Sequence, residues 1–171
     1  MDGVVGPLTG RTIAVTRAAE QAGPLVARLV ALGASVREVP LIEIVDPLDG
    51  GAALRAAASS LDAYDWVVVT SPNGARRLLD AIAAVGAVAD QPSWPSWQRL
   101  GGSNVPAIAV VGPGTAQVFL EQGVAVDLIP RRAIGEGLVE AFPVGPGRVL
   151  FPRAEVARSV VEDGQIGRAH V

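Results

Sequence analysis

The sequence predicts an α/β fold with parallel sheets. Short apolar, β-branched runs alternate with amphipathic helical stretches, and the unit recurs: Ile108-Ala109-Val110 repeats Ile13-Ala14-Val15, and Gly33-x-x-Val36…Pro40 has the spacing of Gly123-x-x-Val126…Pro130. A third copy opens at Arg148-Val149-Leu150-Phe151-Pro152-Arg153, where Arg153 takes the place of Arg17. Strand–helix units at irregular spacing indicate a parallel sheet with crossover helices and not a solenoid. Half of the 171 residues are apolar, enough for a sizeable core, and the length allows one domain or one and a part at ~100–200 residues per domain.

Thr12 to Thr16 (TIAVT) is the first strand. Leu25, Leu29 and Leu32 follow at i, i+4 and i+7 and mark one face of a helix, with Gly33 where a C-cap belongs. Pro24 fits only if that helix begins about there, in its first turn. Val36 to Pro40 resumes strand character and completes a βαβ unit. Gly50 to Leu61 is a helix candidate. Trp66 to Thr70 (WVVVT) is a buried strand by its continuous apolar run. Ala75 to Val85 is a helix with Leu78, Leu79, Ile82 and Val85 on one face. Residues 87–105 lack a clean period and hold Pro92, Pro95, Gly101 and Gly102; a loop of that length is a lid or an insertion, and its Trp94 and Trp97 patch the domain's own surface or cover a site. Leu100 to Leu120 carries no charge, but Asn104, Pro106 and Gly112-Pro113-Gly114 make it loop, buried strand and turn rather than a membrane helix.

Composition excludes much chemistry. All 14 basic residues are Arg; there is no Lys, no Cys and one His. Without Cys there is no thiolate nucleophile, disulfide framework or zinc ribbon. Without Lys there is no Schiff base and no P-loop lysine. His170, one residue from the end, is a poor basis for a triad or a metal site. A net charge of −3 argues against general binding to nucleic acid or anionic membranes. The N-terminus has Asp2 and no apolar run, so it is no secretory signal and the default is a soluble cytoplasmic protein.

Ligand crevices in open parallel sheets lie beyond the carboxyl ends of the strands. The residues there are Thr16-Arg17, Thr70-Ser71-Pro72-Asn73-Gly74, Gly112-Pro113-Gly114-Thr115 and Pro152-Arg153. In two of these segments a small residue ends the strand and Pro opens the helix at N1, leaving the next N–H groups as an anion seat. Ser71 reads equally as a plain N-cap. Gly112 to Gln117 is a poor dinucleotide fingerprint, because the third Gly is absent. Arg17 and Arg153 follow equivalent strands, which would bring both guanidiniums to one rim if those strands are neighbours; Arg suits bidentate recognition of carboxylate or phosphate. The other reading of this pair is two solvated arginines. Arg76-Arg77 and Arg131-Arg132 read as ordinary solvated faces.

Four segments in order, GRTIAVTRAAEQAGPLVARLVALGASVREVPLIEIVDP, DWVVVTSPNGARRLLDAI, AIAVVGPGTAQVFLEQGVAVDLIPRRAIGEGLVEAF and GRVLFPRAEVAR, resemble the uroporphyrinogen-III synthase family from about residue 10 to 164, outside the 87–105 loop. The resemblance implies two doubly wound parallel-sheet, flavodoxin-like α/β domains joined by a two-stranded connector. The first, discontinuous and incomplete here, takes residues 1–40 and 147–171; the second takes 43–145. The implied reaction turns hydroxymethylbilane into uroporphyrinogen III: water leaves, the last pyrrole is inverted through a spiro intermediate, and the macrocycle closes. No metal or organic cofactor is implied. The substrate bears many carboxylates, and the family's binding positions fall on Arg17, Asn73, Gly74, Gly112 and Arg153, with Ser71 and Thr115 placed to assist loss of the hydroxyl. The implied partner is that small molecule, with no nucleic acid and no membrane, and the chain acts as a cytoplasmic monomer.

The sequence departs from the family at its end. Ala154 to Gly164 starts a helix, and Gln165 to Val171 (QIGRAHV) stops it. Those seven residues are what CAG ATC GGA AGA GCA CAC GTC encodes, a run that reads like a sequencing-library adapter, so 165–171 is expected to be non-native; the other reading is an ordinary short tail. The expected consequences are exposed apolar faces and unpaired strand edges in the first domain, and a chain inactive alone. The rival reading is a non-enzymatic α/β small-molecule-binding or regulatory domain; a nucleotide-binding dehydrogenase fragment is disfavoured by the degraded glycine pattern.

Overall fold

The computed structural model describes residues 6–89, 105–145, 147–153 and 161. Residues 90–104 of the expected loop, with Trp94 and Trp97, the helix expected from Glu155 apart from Val161, and the tail 165–171 with His170 lie outside the described residues. The elements are β1 (Thr12–Val15), α1 (Ala19–Ala31), β2 (Ser35–Glu38), α2 (Ala52–Ala58), a 3-10 turn (Leu61–Ala63), β3 (Trp66–Val69), α3 (Pro72–Ala89), β4 (Ala107–Val110), α4 (Pro113–Glu121), α5 (Gly135–Ala141) and β5 (Val149–Leu150). They form two compact units, residues 1–46 and 47–171.

In the first unit β1 pairs with β2 in parallel, Thr12 opposite Ser35 and Val15 opposite Glu38, with α1 as the crossover. Helix α1 starts before Pro24, which therefore lies inside it and removes the donor for the Glu20 carbonyl. Val15, Ala18, Ala22 and Ala34 are buried, whereas Val30, Leu41, Ile42 and Val45 are exposed. Among the described residues β1 has no strand on its other side.

The helix ends show why the two βα copies share a spacing. Gly33 and Gly123 both take left-handed backbone, at φ +92° and +72°. Gly33 N–H donates to Val30 O and Ala34 N–H to Leu29 O, at 2.8 and 3.1 Å. Gly123 N–H donates to Leu120 O and Val124 N–H to Phe119 O, at 2.9 and 3.0 Å. Each is a Schellman cap, in which the αL glycine lets two helix-end carbonyls find donors. Gly123→Ala is expected to cost about 1 kcal/mol, the strain of a β-carbon in αL. Gly33→Ala is expected to cost more, because a β-carbon there stands 2.6 Å from Thr9 Oγ1. Hydrogen exchange at the Ala34 and Val124 amides measures both effects.

The second unit is built on a parallel sheet in the order β4-β3-β5, continued beyond β4 by a parallel bridge between Ala109 and Leu128. Central strand β3 is covered on both faces: Val67, Val68 and Val69 are fully buried, as its unbroken apolar run requires. Val67, Val69, Ile108, Val110 and Leu150 point to one side, against Ala57 and Leu61 and against Leu78, Ile82, Ala116 and Phe119 of α3 and α4. Val68, Ala109, Val149 and Phe151 point to the other, against Leu138 of α5 and Val161. Helices on both faces make this a doubly wound unit.

Besides the start of α1, three features differ from the sequence reading. Gly50 and Gly51 have φ of +60° and +79°, outside helical space, so α2 begins at Ala52. Asp49 prepares that start: its Oδ1 accepts from Gly51 N–H and its Oδ2 from Ala53 N–H, both at 2.8 Å, and these bonds, the one from Ala53 foremost, hold its carboxyl below the ordinary value. Helix α3 runs beyond the expected Ala75–Val85 at both ends, from Pro72 to Ala89.

The third difference concerns domain assignment, since residues 147 onward were expected with the first domain. Strand β5 instead runs beside β3, Trp66 opposite Val149 and Val67 opposite Leu150. The Asp65 carboxylate accepts from Arg148 N–H at 2.7 Å, and the Arg148 carbonyl accepts from the Asp65 and Trp66 N–H groups. Val149, Leu150 and Phe151 are all buried. A strand apolar on both faces finds that burial between the helical layers of the second unit.

Candidate functional site

The carboxyl ends of β3, β4 and β5 form one edge of the second unit's sheet. Val69 pairs with Val110 and Val67 with Leu150, so the register carried forward sets Ser71 level with Gly112 and Arg153 beside Thr70. Ser71 Oγ accepts from Gly74 N–H at 3.0 Å, and the Ser71 carbonyl accepts from Ala75 N–H at 3.0 Å. Ser71 is thus an N-cap. Its oxygen receives the backbone bond, which leaves the hydroxyl hydrogen for an acceptor outside the helix.

Helix α4 starts in a similar way without a side-chain cap. Gly112 is extended, at φ −158° and ψ 170°, and its carbonyl accepts from Thr115 and Ala116 N–H, both at 3.1 Å. Pro113 occupies N1, where a missing N–H costs nothing. Neither α3 nor α4 has an acidic residue in its first turn, so the positive ends of both helices face this edge without a carboxylate from their own first turns.

Close packing shapes the rim. A β-carbon on Gly74 would stand 3.3 Å from Ser71 Oγ, 3.4 Å from Val69 Cγ1 and 3.9 Å from the Pro152 carbonyl oxygen. The first turn of α3 therefore lies against the end of β5 as it leads into Arg153, which is exposed. A β-carbon on Gly112 would stand 3.2 Å from Ala133 Cβ, so the loop after Pro130, read from sequence as a solvated face, reaches the rim. The only signal for that approach was the small residue at 112. Within that loop Arg132 pairs with Glu140, whose hydrogen bond raises the arginine's pKa.

Thr115 is buried, 4 % exposed, and its hydroxyl has no hydrogen-bond partner among the described residues. Ser71, Asn73, Gly74 and Gly112 are half-buried. Of the residues singled out from sequence, Ser71, Asn73, Gly74, Gly112, Thr115 and Arg153 come together at this one edge. Arg17 belongs to the 1–46 unit, at the end of β1, and is exposed, with its Nε 3.2 Å from Gln21 Oε1. The expected adjacency of Arg17 and Arg153 on neighbouring strands is corrected: β1 pairs with β2, and β5 with β3. Repetition of a strand reveals its type but not its neighbour.

The family model described as uroporphyrinogen-III synthase HemD matches residues 23–166. The chain belongs to the uroporphyrinogen-III synthase family. It is 43 % identical over 152 residues to the uroporphyrinogen-III synthase of Synechococcus elongatus, covering 87 % of this chain and 52 % of that one. It is 28 % identical over 166 residues to the chloroplastic uroporphyrinogen-III synthase of Oryza sativa, covering 91 % of this chain and 49 % of the rice protein. This member of the family thus spans about half the length of these curated relatives. Two crystal structures of the Thermus thermophilus uroporphyrinogen III synthase share its fold: the wild type at TM-score 0.58 and 16 % identity, and a triple mutant at 0.66 and 15 %. Each covers 94 % of this chain, which spans 59 % and 60 % of theirs. Among the described residues no helix is long and apolar enough to cross a membrane.

Proposed function

We propose that the carboxyl edge of the second unit's sheet binds hydroxymethylbilane and takes part in its cyclisation, with inversion of the last pyrrole ring, to uroporphyrinogen III. The observation that supports this reading is the meeting of two uncompensated helix N-termini and Arg153 at one edge. A chain of pyrroles bearing acetate and propionate groups needs such a set: a guanidinium for bidentate pairing, and N–H groups for single carboxylate oxygens.

The reaction asks for departure of a hydroxyl as water and for one geometry of the cationic intermediate that remains. The electron-rich pyrrole drives out the leaving group, so binding in the ring-flipped conformation is the enzyme's main contribution. Ser71 and Thr115 assist departure as hydroxyl donors. Ser71 fits this task because its N-cap bond enters through oxygen and leaves its proton to give. Thr115 is a buried hydroxyl lacking a described acceptor, an arrangement that is costly unless a ligand completes it. Asn73, Gly74, Gly112 and Arg17 bind substrate carboxylates. The protein acts as a cytoplasmic monomer on a small molecule, and its net charge of −3 accords with the absence of a nucleic-acid partner.

Thr115→Val in a full-length version of the protein tests this reading. Val removes a buried hydroxyl that has no partner among the described residues, at nearly constant volume, so a purely structural Thr115 predicts unchanged turnover and equal or higher stability. The expected result is that stability with turnover reduced about 10²-fold, the usual effect of losing one donor aimed at developing charge. Turnover and isomer ratio matching the parent protein would refute the assignment.

A further inference from the structure

We infer that Asn73 is a site of spontaneous deamidation, and that the Ser71 cap of α3 holds the reaction in check. The sequence has Asn at 73 and 104 only, the first followed by Gly and the second by Val. Deamidation starts when the backbone nitrogen of the next residue attacks the Asn side-chain carbonyl carbon, so the bulk of that residue governs access. Gly74 presents a nitrogen with no side chain beside it, whereas a β-branched residue such as Val105 crowds its own. Asn73 and Gly74 are half-buried, and solvent reaches the pair. Water is the only co-reactant the chemistry needs. The Gly74 nitrogen gives up its proton to solvent and bonds to Asn73 Cγ; the bond from Cγ to Nδ2 breaks, and Nδ2 leaves as ammonia. The cyclic imide that remains adds water at either of its carbonyls and opens to Asp or to isoaspartate.

The folded start of α3 opposes the first step at both reacting atoms. Gly74 N–H donates to Ser71 Oγ at 3.0 Å, so the proton that must leave is held by the cap. Ring closure needs the Gly74 nitrogen nearly eclipsed with Asn73 Cβ about the Cα–C bond, and a helical ψ of about −42° turns it well away. Asn73 Oδ1 accepts from Arg76 Nη1 at 3.4 Å, which ties the side-chain amide to the next turn of the helix. Packing explains why so reactive a pair stands here: a β-carbon at 74 would crowd Ser71 Oγ at 3.3 Å and Val69 Cγ1 at 3.4 Å. Glycine suits that space, and the cap contains the reactivity that glycine brings. Attack therefore waits for the first turn of α3 to open, and its rate follows the population of the opened form. The product carries a new carboxylate at the edge to which the proposed function assigns substrate carboxylates.

The experiment keeps the 171-residue chain in mildly alkaline buffer, native and in urea, and follows it by tryptic digestion and mass spectrometry. Cleavage at Arg55 and Arg76 releases peptide 56–76, which holds Asn73 and no other side-chain amide. The mass gain of amide-to-acid conversion in that peptide therefore reports Asn73 alone, and separate Asp and isoaspartate forms on chromatography mark the imide route. S71A is expected to raise the native rate about fivefold, the order of stability that a Ser cap gives a helix start, and to leave the rate in urea unchanged. S71T keeps a capping oxygen and stays near the parent rate. In the unaltered chain the ratio of the urea rate to the native rate is expected to match the protection of the Gly74 amide against hydrogen exchange. That comparison needs no variant, so it decides the matter even where S71A does not fold. No conversion in urea overturns the site itself. A native rate equal to the urea rate, or a folded S71A that converts no faster than the parent, overturns the role of the cap.

Discussion

Added to a system that generates hydroxymethylbilane, the 171-residue chain is expected to leave the product as uroporphyrinogen I, the isomer formed when the ring closes without inversion. The reason lies in the first unit. Its core is Val15, Ala18, Ala22 and Ala34, while Leu41, Ile42 and Val45 are 72 %, 63 % and 66 % exposed and Val30 of α1 is 54 % exposed. Full burial of one such side chain stabilises by about 1.5–3 kcal/mol, and this unit forgoes most of that at several positions. A two-stranded sheet is marginal by itself. Arg17, which the proposed function counts among the substrate-binding residues, sits on this unit, and positioning contributes about 7–11 kcal/mol to well-oriented reactions. The ratio of isomer III to isomer I measures the outcome. A clear excess of isomer III from this chain would overturn the expectation, and no isomer III from a full-length version would overturn the proposed activity.

Phe119→Ala is expected to destabilise the second unit by about 3–5 kcal/mol, the usual range for an aromatic side chain removed from a closed core. Phe119 is fully buried and belongs to the cluster that holds Val67, Leu78, Ile108 and Val124. It joins α4 to the central strand beneath the candidate site, and its carbonyl accepts the Val124 N–H of the Schellman cap. The backbone bond survives the substitution, so the loss isolates side-chain packing. Typical domains are stable by about 5–15 kcal/mol. Leu120→Ala, one residue on and 54 % exposed, should change stability by no more than about 0.5 kcal/mol. Urea unfolding followed by circular dichroism compares the two, and equal midpoints would show that α4 is not packed as described.

The residues that assemble the site were legible wherever the chemistry is local. Pro72 and Pro113 announced helix starts because a proline at N1 gives up a donor the helix does not use. Ser71 announced a cap because its oxygen reaches only a few residues along the chain, to Gly74 N–H. The approach of Ala133 to Gly112, and that of Pro152 to Gly74, connect segments far apart in sequence, and no periodicity reports such contacts. Pro24 misled for the same reason in reverse. A local rule put the helix start beside it, yet α1 begins at Ala19.

By itself the sequence determined the types of most elements, the helix-ending glycines at Gly33 and Gly123, and the strand ends at which Ser71, Gly112 and Arg153 stand. These depend on propensity, periodicity and hydrogen bonds within about one turn of chain. Only the tertiary structure decided that β5 joins β3, that Arg17 and Arg153 end strands of different sheets, and that Arg76 turns back to Asn73. An apolar strand is complementary to any sheet buried on both faces. Which sheet it enters is settled by the space between helices and by backbone bonds such as those joining Asp65 to Arg148.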